Sequence, residues 1–152
     1  MAALSNISIN DKPLKTSGFC KIPFGQNLQI QFDLKRDSNI EGFTIKVEFA
    51  DSNNRIIAHY HSLHNSAVIR NTQSENTYSL SISNLNFTDG SYKVHFFIMD
   101  QEGIQQYYCF RNMFQLEVLG SGHQVKGFSS VLLKGDITES KKLEALPTKS
   151  KL

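Results

Sequence analysis

Apolar and polar residues alternate one for one along most of this chain, and that rhythm restricts what it can fold into. A period of two puts successive side chains on opposite faces of an extended strand, whereas a helix repeats every three or four positions. In residues 27–35, Leu28, Ile30, Phe32 and Leu34 point one way, while Gln29, Gln31, Asp33 and Lys35 point the other. Residues 43–49 repeat the pattern, with Phe43, Ile45, Val47 and Phe49 inward and Thr44, Lys46 and Glu48 outward. No window gives a helical period.

The rest of the chain follows the same rule. Asp51-Ser52-Asn53-Asn54 reads as a hairpin turn into a strand over 55–62. Residues 77–83 bury Tyr78, Leu80 and Ile82 under a row of serines, and the Asp89-Gly90 turn opens a strand over 91–99. That strand buries Tyr92, Val94, Phe96 and Ile98. Asp100-Gln101-Glu102-Gly103 closes a hairpin into 104–110, and 113–119 forms the last clear strand, burying Phe114, Leu116 and Val118. Shorter edge strands are expected over 4–9 and 19–22. Short strands between turn signals predict an all-β fold: an antiparallel β-sandwich, immunoglobulin-like or jelly-roll-like, with Greek-key connections.

Two stretches break the rhythm. Residues 63–76 form a polar loop longer than most hairpin connections, and such loops on rigid sandwiches often carry function. Residues 136–152, mixing lysines, acids and Pro147, read as a loosely held tail after a domain spanning 1–135. Between them, Val131-Leu132-Leu133 forms a short strand after the Gly120-Ser121-Gly122 linker. A strand tethered in this way packs on its own domain or exchanges with a second copy.

Composition narrows the class. At 152 residues with 39% hydrophobic content the chain is one globular domain, and no apolar run approaches the roughly 20 residues of a membrane span. The start carries no secretion signal, so a cytoplasmic setting is expected. The net charge of +2 is spread along the chain, without the basic cluster of a nucleic-acid binder. Cys20 and Cys109 fit reduced, buried thiols better than a disulfide.

The strands also carry a resemblance. Asn84-Leu85-Asn86-Phe87-Thr88-Asp89-Gly90-Ser91-Tyr92 resembles a leucine-rich corner ending in glycine-x-tyrosine that leads into a late sandwich strand. The Asp100 turn, Phe114-Gln115-Leu116-Glu117-Val118, Gly127 and Val131-Leu132-Leu133 follow, with Phe24-Gly25-Gln26-Asn27-Leu28-Gln29-Ile30 upstream. In order and spacing, over roughly residues 7–133, this is similar to the C-terminal carbohydrate-binding domain of the Wzt proteins, ATPase subunits of bacterial O-antigen ABC exporters. The resemblance implies a non-catalytic module that recognises the non-reducing end of a lipid-linked polysaccharide, often through a terminal modification. It also implies a homodimer formed by exchange of the terminal strand. The module would sit at the cytoplasmic face of the inner membrane beside the transporter's membrane subunit. ATP and Mg would belong to an upstream ATPase domain, because the phosphate-loop pattern Gly-x-x-x-x-Gly-Lys-Ser/Thr is absent from this chain. No cofactor is expected in the module itself.

Alternation selects the binding face. If strand 27–35 pairs with 77–83, their outer surface is a plain polar one. The other sheet, from 43–49, 55–62, 91–99 and 104–110, shows Thr44, Lys46, Glu48, Ile57, His59, His61, Lys93, His95, Phe97, Met99, Gln106 and Tyr108. Aromatic faces stack on sugar C–H surfaces and long polar side chains bond hydroxyls. The saccharide-binding set is therefore Lys46, His59, His61, His95, Phe97, Gln106 and Tyr108, with Arg70 at an edge. Its cations and imidazoles also suit an anionic terminal group. The alternative is a protein-interaction sandwich, an adaptor using the same face.

His59-x-His61-x-x-His64 has the spacing of a metal triad, but no carboxylate lies nearby in sequence, and ligand-binding histidines are the preferred reading. Glu48 on the same face has no second carboxylate in view for glycosidase chemistry. Cys109 beside His95 reads as packing, and no Gly-x-Ser-x-Gly elbow is present.

Overall fold

A computed structural model describes residues 3–15, 18–36, 42–65, 68–70, 75–83, 85, 87–120 and 131–141. The linker over 121–130, with Ser121, Gly122 and Gly127, parts of the 63–76 loop, Asn84 and Asn86 of the corner, and the chain beyond Lys141 lie outside them. The elements, in order, are β1 (Ala3–Ile9), β2 (Lys12–Pro13), β3 (Phe19–Pro23), β4 (Leu28–Lys35), β5 (Thr44–Ala50) and β6 (Ile56–His61). A single 3-10 turn (Ser62–Asn65) precedes β7 (Glu75–Ile82), β8 (Gly90–Met99), β9 (Gln106–Leu119), β10 (Val131–Leu132) and β11 (Gly135–Lys141). Among the described residues no helix is long and apolar enough to cross a membrane.

The strands form a β-sandwich. One sheet has the order β11-β7-β4-β1-β2 and the other β10-β6-β5-β8-β9-β3. The partition expected from alternation holds: β4 pairs with β7, and β5, β6, β8 and β9 lie together. Alternation also places the core. Leu28, Ile30 and Phe32 of β4 meet Ile45, Val47 and Phe49 of β5 and Val94, Phe96 and Ile98 of β8, all completely buried. Phe32 and Phe96 close the gap between sheets with an edge-to-face contact, centroids 5.4 Å apart. At the corner the Tyr92 hydroxyl donates to the Thr88 carbonyl at 2.6 Å, pinning the chain as it enters β8.

Three features depart from expectation. The strands predicted over 104–110 and 113–119 are one strand, β9, interrupted by a bulge at which Asn112 takes a φ of 51°. The first sheet is antiparallel throughout, whereas both edges of the second are parallel pairs, β3 with β9 and β10 with β6. These strands enter by crossing from the other layer or after a long connection, as parallel neighbours must. Cys20 on β3 and Cys109 on β9 are separate, half-buried thiols.

The third departure is at the end of the chain. The tail expected from residue 136 begins instead as β11, which pairs residue for residue with β7, from Gly135 opposite Ile82 to Lys141 opposite Asn76. Only Ile137 packs toward the core, which explains why hydrophobic pattern does not reveal the strand. Edge strands are held by backbone hydrogen bonds, and charged side chains suit them. Between β10 and β11 the chain steps from one sheet to the other: Leu133 N–H bonds the His59 carbonyl, and two residues later Gly135 enters the opposite layer.

Gly135 occupies a position where a Cβ would collide with the Ser81 carbonyl oxygen and lie 3.0 Å from the Ile82 Cα. Gly135→Ala is expected to cost roughly 1–3 kcal/mol by overpacking against backbone that cannot give way. Hydrogen exchange should show faster exchange across Asp136–Glu139 than across β4. Uniform protection in the variant would contradict this account of the crossing.

Candidate functional site

The outer face of β5, β6 and β8 is built from cross-strand rows. Glu48 lies opposite His59 on one side and His95 on the other. The next row joins His61, Lys46, Phe97 and Cys109, and the third joins Thr44, Met99 and Gln106. Side chains directly opposite in neighbouring strands are in contact range, so each row is a local interaction unit.

At the β6 side of this face a shallow, open groove of about 480 Å³ is lined by Lys46, Glu48, Ile56, His59, His61, Leu63, His64, Glu102 and Gly103. That size suits a few sugar units. Lys46 and Glu48, two residues apart on β5 and so on the same face, form an ion pair at 3.1 Å. The Lys46 ammonium also lies 4.9 Å from the centre of the Phe97 ring.

Burial favours the neutral form of His59 and His61. His61 Nδ1 accepts the Leu63 backbone N–H at 3.1 Å, placing the imidazole proton on Nε2. Burial pushes its pKa down to about 4, aided by the neighbouring His64, Lys46 and His59. His59 is lowered by burial and by Lys46, with Glu48 opposing. The His61 and His64 rings meet edge to face at 5.3 Å. The β8–β9 turn closes over His61 and Leu63: a Cβ on Gly103, whose φ is +72°, would come within 2.8 Å of His61 Cε1 and 3.1 Å of Leu63 Cδ2. Glycine here permits both the turn and the approach of its backbone to the imidazole.

Of the eight residues expected to bind saccharide, the groove gathers Lys46, His59 and His61. His95 is buried on the neighbouring row, where its Nδ1 accepts the Asn112 N–H at 2.7 Å and braces the β9 bulge. Phe97 is also buried, and its ring carries Lys46 and, at 5.8 Å, the Arg111 guanidinium. It is a platform for cations more than an open stacking surface. Gln106 is exposed opposite Met99, away from the groove lining. Arg70 is exposed just beyond the bridge between Phe43 and Ile69, also outside the lining.

Tyr108 requires correction. It pairs with the inward-facing Ile98 and packs against the core, because the register shift between Ile98 and Met99 reverses the face assigned by simple alternation. A shift between Phe49 and Ala50 acts similarly on β6: Ile57 packs on the core, and Ile56 takes the groove wall. The second carboxylate absent from the sequence reading is Glu102, carried to the groove by the β8–β9 turn. Among the described residues no group of three or more His, Cys, Asp or Glu is arranged to hold a metal ion.

No family model matches the sequence, and no curated protein matches it. Among solved structures, the crystal structure of the C-terminal domain of Wzt superposes with a TM-score of 0.58, covering 80% of each chain at 9% identity. The fold is that of the Wzt C-terminal domain. At this identity the likeness to the Wzt domain is one of backbone architecture, and the groove's side chains are those of this sequence alone. The groove residues that sequence reasoning missed, Ile56, Leu63, Glu102 and Gly103, lie at a bulge or in turns. The one local signal was Gly103, closing a turn directly after a strand of the binding face.

Proposed function

We propose that this domain is a non-catalytic saccharide-binding module whose groove receives the non-reducing end of a lipid-linked polysaccharide destined for export. The observation that carries the reading is the groove itself, set in a Wzt-like sandwich. Lys46, Glu48 and His59 offer donors and acceptors beside the apolar walls of Ile56 and Leu63. A pyranose presents the same combination, hydroxyls at its rim and a C–H face. Glu48, already engaged by Lys46, is suited to accept hydroxyl hydrogen bonds. In this reading the domain acts at the cytoplasmic side of an ABC exporter, as a homodimer beside the membrane subunit, with ATP hydrolysis supplied by a separate ATPase domain.

Calorimetric titration with terminally capped and uncapped O-polysaccharide tests the proposal. Lys46→Ala and His59→Ala are each expected to weaken binding about tenfold or more, because each removes a charged or imidazole partner from the groove. Both side chains are partly solvent-exposed, so thermal midpoints should move by only about 1–3 °C. A wild-type protein that gives no response to any chain would sink the saccharide reading. Unchanged affinity in both variants would remove the groove from it.

A further inference from the structure

We infer that the groove selects an uncharged, hydroxyl-bearing sugar terminus and discriminates against phosphate or carboxylate caps. The inference rests on the saccharide reading and reverses the expectation of an anionic terminal group. Among the described residues, the lining holds one fixed cation, Lys46, against two carboxylates, Glu48 and Glu102. Lys46 is moreover committed on both sides, to Glu48 at 3.1 Å and to the Phe97 ring. An incoming anion would have to displace Glu48 from its partner while leaving that carboxylate in the same partly desolvated groove. Both steps oppose binding.

The buried imidazole of His61 does not restore the balance. His61 can carry a second proton only by turning Nδ1 into a donor that faces the Leu63 N–H it now accepts. Arg111 lies over the Phe97 ring, outside the groove lining. What remains is a lining whose fixed charges have an acidic bias, flanked by Ile56 and Leu63. Sugar hydroxyls can donate to Glu48 and Glu102 and accept from the Lys46 ammonium, while the ring's C–H face lies on the apolar wall. An oxyanion can only accept.

Two arms test this on the intact 152-residue chain. In the first, inorganic phosphate is titrated to tens of millimolar at neutral pH while histidine and lysine resonances are followed by NMR. The wild type should show no saturable shift at His59, His61 or Lys46. The Glu48→Gln, Glu102→Gln double variant, whose lining charge becomes net positive, should acquire one. Saturable phosphate binding in the wild-type groove overturns the inference. In the second arm, saccharide chains ending in a neutral sugar are compared with the same chains ending in a phosphate or uronate. The acidic caps should bind about tenfold more weakly; tighter binding of an acidic cap also overturns the inference. If no chain binds at all, the saccharide reading fails, while the phosphate arm still decides the charge preference of the groove.

Discussion

Phe96→Ala is expected to lower the unfolding free energy by roughly 3–5 kcal/mol. Phe96 is fully buried in the middle of β8, and its ring meets Phe32 of β4 at 5.4 Å and 85°, so one side chain joins the two sheets. Removing it opens a cavity between layers whose strands are fixed by their own ladders and cannot close over it. A domain of this size has about 5–15 kcal/mol in total, so the variant should be only marginally folded. In urea, the midpoint should fall steeply with little change in slope, and Phe96→Leu should recover much of the loss. A loss below about 1 kcal/mol would mean that the sheets do not pack through this residue.

Acidification is the second large effect. In the unfolded chain His61 titrates near the ordinary 6.5, whereas in the fold burial holds it down to about 4. Between those values the unfolded state binds more protons, so stability falls as pH drops. The contribution is intact above 6.5, declines through the window and is gone below about 4. Water reaches the rim of the groove, which reduces the effect to roughly 1–3 kcal/mol. His59 and His95 are lowered by burial as well and act in the same direction. Asp51, whose carboxyl is held below its ordinary 3.8 mainly by the Arg55 backbone N–H, loses its contribution only at more acidic pH. Urea midpoints measured at about pH 7.5 and about pH 4.5 should therefore separate in the wild type and separate less in His61→Gln. Equal separation in both proteins would assign the acid sensitivity to other groups.

The two predictions differ in how far they were visible beforehand. Phe96 and its partners are legible as core from the alternation of β4, β5, β7 and β8 alone. An uninterrupted strand has no freedom about which side chains share a face, and only one face is apolar enough to bury. With the pairing of β4 and β7 taken as a condition, the same rule placed Lys46, Glu48, His59 and His61 together on an outer surface.

Alternation loses authority wherever a strand gains a residue or stops. The register shift opposite Met99 turned Tyr108 inward, and the one at Ala50 exchanged Ile57 for Ile56. His95 lies on the expected sheet yet braces the Asn112 bulge, a backbone need that composition does not announce. β11 was invisible because an edge strand is held by backbone bonds, whatever its side chains. The sequence by itself determined the sandwich, its core and the face that looks outward, because a period of two is a local geometric constraint. Only the tertiary structure decided that this face is a groove and what its charge is. Glu102, Gly103 and Leu63 come from turns, and where a turn folds over a sheet depends on contacts far away in the chain.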